Sequence, residues 1–150
     1  MSKMKSYDKI GELVKEPLWP VIQQQPSAAV FPDGEGLAQV QSRAVAAVRE
    51  IDRALTEEHG GDALWIACTH GDVIKAVLAD ALGVHLDAFQ RIVADPASMS
   101  VISYTPHRPF VLHVNHTGDR LAGAGLAKMA DAAPAWLGIP TTWIFASSLL

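Results

Sequence analysis

Two stretches of the chain have a hydrophobic pattern that assigns their structure directly. Leu37, Val40, Ala44, Val48, Ile51 and Leu55 recur at spacings of three and four, which predicts one long amphipathic helix ended by Gly60 and Gly61. Ala63 to Cys68 then forms a short apolar run without charge, after a Gly-Gly-Asp turn signal. A run this dry predicts a strand buried on both faces, as in a parallel sheet. Thr69, His70, Gly71 and Asp72 follow, and Ile74, Val77, Leu78, Ala81 and Leu82 then fall at i, i+3, i+4, i+7 and i+8 of a second helix. Gly83 stands where a left-handed helix cap belongs. The pattern is therefore strand, tight turn, helix, with one histidine in the turn.

The flanking segments read less sharply. Residues 8–16 predict a short helix with Ile10, Leu13 and Val14 inward, stopped by Pro17. Leu18 to Gln25 predicts another turn or two, with Trp19 as core or lid lining. Val84 to Arg91 suggests a short helix and Asp95-Pro96 a turn. Ser98 to Tyr104 and Phe110 to His116 read as the two strands of a hairpin around Pro106 to Pro109. From Gly118 the chain turns rich in alanine and glycine and loses any stripe, ending in an apolar piece broken by Pro140. The organisation expected is a domain over 1–117 and a tail over 118–150.

Composition narrows the class. The 150 residues carry 12 Lys and Arg against 16 Asp and Glu, a net charge of −4. The scattered basic residues argue against a nucleic-acid partner. A spanning helix needs about 20 apolar residues, which no stretch supplies, so no membrane role is expected. A single cysteine, Cys68, allows no internal disulfide and fits a reducing, cytoplasmic setting. Its place inside the strand predicts a small buried thiol.

The candidate chemistry lies at the turn. Amides opening a helix lack partners within it and carry partial positive charge. His70 and the Gly71 amide are thus a candidate phosphate or carboxylate site, the plain alternative being a histidine that caps or packs at a strand end. His113 and His116 are three apart in a predicted strand, where such residues point to opposite faces. They are poor joint ligands on that reading, and no metal is expected. His59, His107, His85 and Arg91 read as exposed or solvated.

The run WIACTHGDVIKAVLADALG resembles the second motif block of the histidine phosphatase superfamily, the phosphoglycerate-mutase-like enzymes. Phe31-Pro32-Asp33-Gly34-Glu35-Gly36 resembles that family's Pro-x-Gly-Glu-Ser segment, with Gly36 in place of the serine, and Arg43 keeps the family spacing after Glu35. The resemblance runs from about Lys9 to Asp119. It implies an α/β domain with a mostly parallel sheet flanked by helices. It also implies that His70 is the second catalytic histidine, holding a phosphoryl oxygen with Gly71 beside it. Glu35 is then a possible substrate contact, against its simpler reading as a carboxylate favoured at a helix start.

In the family, a histidine in an Arg-His-Gly motif takes the phosphoryl group as phosphohistidine, without a metal or other cofactor. No Arg-His-Gly occurs in this sequence. The resemblance therefore implies the C-terminal part of such a domain, in which phosphomonoester hydrolysis or transfer is weak or absent. The alternatives are a non-catalytic module binding a phosphorylated metabolite or phosphate, and a fragment that docks a partner. Lack of the family's nucleophile strand would leave an open sheet edge, so self-association or a covering partner is expected.

Overall fold

A computed structural model describes residues 15–59, 63–117 and 141–147. Helix α1 (Leu18–Gln24) leads through a 3-10 turn at Pro26–Ala28 to the long helix α2 (Leu37–His59). Strand β1 (Leu64–Thr69) runs into helix α3 (Gly71–Leu82). A 3-10 segment at Leu86–Arg91 then leads to the hairpin β2 (Met99–Tyr104) and β3 (Pro109–His116). The last described element is β4 (Thr141–Ser147). Of the helix expected over 8–16, all but Lys15 and Glu16 lies outside the described residues.

The strands form one sheet in the order β1-β4-β2-β3. β1 and β4 pair in parallel, whereas β2 is antiparallel to both β4 and β3. The expectation of a mostly parallel sheet is therefore corrected: the α/β class stands, with a mixed sheet. The cause is local. The turn between Tyr104 and Pro109 is too short for a crossover, so the two strands fold back as a hairpin. The Thr105 hydroxyl fastens that turn, donating to the Arg108 carbonyl (2.8 Å) and accepting from the Arg108 amide (3.2 Å). The apolar piece beyond Pro140, left without a place by the sequence, supplies β4 between β1 and β2.

α2 and α3 pack on one face of the sheet. Buried Leu37, Val45 and Val48 of α2 meet Ile74, Ala76, Val77, Leu78 and Ala79 of α3, with Phe89 and Ile102 completing the centre. Trp65, Ala67, Tyr104 and Val111 pack against this cluster from the sheet. The alternate residues of β1 face away: Leu64 is 60% and Ile66 61% exposed, and Cys68 is exposed. Two readings are thereby corrected. β1 is covered on one face rather than two, and the Cys68 thiol is not buried, because its parity points it away from the helices.

The two long helices run side by side in the same direction. The Gln41 side-chain amide donates to the Ala76 carbonyl (2.9 Å) and Arg49 pairs with Asp80 (2.8 Å), so both contacts advance together along α2 and α3. α3 ends as its glycine foretold. Gly83 has φ 66°, and the Val84 and Gly83 amides bond the carbonyls of Ala79 and Asp80. This pattern closes the orphan carbonyls of a helix end. The start of α2 keeps one half of a capping box: the Gly36 amide donates to Oε1 of Gln39 (2.8 Å), a bond that needs no hydroxyl at Gly36.

Candidate functional site

The carboxyl end of β1 delivers His70 to the mouth of α3. The residue is extended (φ −89°, ψ 156°), and its carbonyl accepts the first helical bond, from Ile74 (3.0 Å). No side chain caps the helix, and the His70 side chain is exposed. The first-turn amides have no partner within the helix and carry its positive dipole end. The His70 imidazole thus stands at the helix start, beside first-turn amides that no side chain of the described residues caps. Gly71 is not required by packing, since a Cβ there would meet only the Ala94 carbonyl at 3.5 Å.

The charges around the mouth limit what it can do. Asp72 sits in the first turn, where the dipole favours its carboxylate, and lies 3.6 Å from Nζ of Lys75. Lys75 also donates to Oε1 of Gln90 (3.2 Å) and lies 5.9 Å from the centroid of the Phe89 ring. Sequence reasoning passed over Lys75, although its place one turn into the helix marked it as the cation closest to His70 along the chain.

Glu35 and Arg43 lie at the same end of the domain, because α2 and α3 run in parallel. They hold each other in a fork: Nε of Arg43 donates to both Glu35 oxygens (3.1 and 3.3 Å) and Nη2 to Oε2 (3.0 Å). The pair raises the Arg43 pKa, chiefly through the hydrogen bond. Glu35 precedes Gly36 and does not cap α2. Among the described residues, no hydrogen bond or ion pair joins Glu35, Arg43 or Arg91 to His70, and no group of three or more His, Cys, Asp or Glu could hold a metal ion.

The two remaining histidines of interest are not where strand parity put them. His113 lies opposite Val101 and His116 opposite Met99, with a register shift between the pairs. β3 thus spends an extra residue at a bulge, where Asn115 takes φ 56°. Both histidines therefore face the same side, with ring centroids 6.0 Å apart and planes at 88°. The expectation of opposite faces holds only for a regular strand.

Fold and site together define an α/β domain with a histidine at the turn from β1 into α3, whose start no side chain of the described residues caps. The family model of the histidine phosphatase superfamily (branch 1) matches residues 5–117, and the chain belongs to that superfamily. No curated protein matches it. Among the described residues, no helix is long and apolar enough to cross a membrane.

Proposed function

We propose that this chain binds inorganic phosphate or a phosphomonoester at the mouth formed by His70 and the first-turn amides of α3, including that of Gly71. The carrying observation is the exposed His70 side chain at a helix start that no side chain caps. Such an end attracts anions through its unpartnered amides and its dipole. Turnover by this chain is weak or absent. Phosphoryl transfer needs a nucleophile and several cations on the transferring group. The sequence has no Arg-His-Gly, and Arg43 is already engaged by Glu35.

The test is thermal melting of the chain and of His70→Ala with rising phosphate, beside hydrolysis of an aryl phosphate. At 100 times the dissociation constant, bound phosphate adds about 2.7 kcal/mol of stability. That stabilisation is expected in the parent and lost in His70→Ala, with hydrolysis at the buffer rate in both. A phosphate-independent melt would sink the binding reading. Hydrolysis abolished by His70→Ala would sink the non-catalytic one.

A second reading rests on β1. Among the described strands it lies at the sheet edge, and Leu64 and Ile66 are largely exposed on its uncovered face. The strand carries no charge to deter edge pairing. A second copy pairing along this edge is the occupant proposed. A concentration-independent monomer in sedimentation would exclude it.

A further inference from the structure

The bulge in β3 does more than interrupt a ladder. It brings His113 and His116 onto one side at a fixed spacing, and the surrounding bonds hold it in place. The Asn115 amide donates to the Ser100 hydroxyl (3.1 Å), its side-chain amide donates to Asp95 (2.8 Å), and its side-chain carbonyl accepts from the Asp95 amide (2.7 Å). Nδ1 of His116 is buried and has no hydrogen-bond partner among the described residues. A buried ring nitrogen left unpaired is uncommon and calls for an explanation. Met99 lies directly opposite His116 in the ladder and so on the same side.

We propose that His113 and His116 form a copper-binding site, with the Met99 thioether as a third and softer donor. Neutral imidazole suits copper, nickel and zinc, and divalent copper stands highest in the affinity order of that series. A thioether beside the pair shifts the preference further towards copper, above all its monovalent form. Coordination also gives the His116 Nδ1 the partner that the described residues do not supply. With no third His, Cys, Asp or Glu in reach among the described residues, water completes the coordination sphere. The site is separate from the turn at His70 and does not depend on the phosphate reading.

The experiment is titration of the whole chain with cupric chloride against glycine as a competing chelator, followed by electron paramagnetic resonance. The expected result is one equivalent of copper with nitrogen couplings. His113→Ala and His116→Ala should each lower the affinity by on the order of tenfold or more, while His107→Ala leaves it unchanged. Met99→Leu should weaken cuprous binding and leave zinc binding intact. Equal copper affinity in the parent and both histidine variants would overturn the proposal, as would no bound equivalent in the parent. Should the alanine variants fail to fold, substoichiometric copper added to the unmodified chain decides. Ring protons of His113 and His116 should broaden before those of the other histidines, and uniform broadening would overturn the site.

Discussion

Replacing Asn115 separates the two things that hold the β3 bulge. The residue has φ 56° and exchanges two side-chain hydrogen bonds with Asp95. Asn115→Ala loses those bonds and places a residue with a Cβ, and no local polar group, in the left-handed region. The exposed bonds contribute about 1 kcal/mol in net terms. The left-handed conformation costs about 1–2 kcal/mol for an L-residue, at the low end where asparagine already bore part of it. The sum is about 2 kcal/mol. Asn115→Gly loses the same bonds but accepts the conformation freely, adding about 0.5 kcal/mol of chain entropy, for a total of about 1.5 kcal/mol. In a chain of this size each kcal/mol lowers the melting temperature by about 2–4 °C. The alanine variant should therefore melt below the glycine variant, and both below the parent, in calorimetry at one pH. A glycine variant no more stable than the alanine one would refute the claim that conformation sets the bulge. The ring–ring contact of His113 and His116, followed by nuclear Overhauser effects, should weaken in the alanine variant first.

Core and charge give two further tests. Leu78 is fully buried at the centre of α3, so Leu78→Ala should cost about 3–5 kcal/mol in denaturant unfolding, against under about 1 kcal/mol for the half-exposed Leu82→Ala. Burial pushes the Tyr104 phenol up to about 12, with the nearby Asp80 carboxylate acting in the same direction. The folded pKa lies above the unfolded one, so this contribution is intact below about pH 10 and is lost as pH rises towards 12. Partial solvent access limits the loss to about 2 kcal/mol. Tyr104→Phe should flatten that alkaline limb, and a phenolate titration at the ordinary tyrosine pKa would contradict the burial argument.

Local signals carried much of the fold. α2 was legible because its stripe spans many turns, and the β1–α3 unit because a dry run, a turn and a stripe followed in order with Gly83 as the stop. The hairpin was legible from alternation on either side of a proline-marked turn. What escaped was set by distant contacts. A continuous apolar run cannot show which face a helix will cover, so Leu64, Ile66 and Cys68 were placed inside. Thr141 to Ser147 carries threonines and aromatic residues, an ordinary strand signal. Its isolation after an alanine-rich stretch concealed that it pairs with both β1 and β2. His70 and Gly71 lie at the turn from β1 into α3 that the strand–turn–helix pattern predicts, and Glu35 is tied to Arg43 rather than at a helix cap. The facing of His113 and His116 depends on one extra residue in a ladder, which no regular period foretells.

The position of β4 sets an order of events in the making of the protein. β1 cannot be joined to β2 until Thr141–Ser147 has been synthesised, because that strand lies between them. Leu64 must wait for Thr142, and Trp65 for Trp143. Helices α2 and α3 and the hairpin can form early from neighbouring residues, while closing the sheet joins strands far apart in sequence at an entropic cost. Folding limited by such distant pairings is slow. Through that interval, the flank of β1 that β4 will occupy stands open to any other strand. The nascent chain is therefore most exposed to misassembly after the hairpin has emerged and before its last described strand arrives, which is the period in which a chaperone would matter most to it.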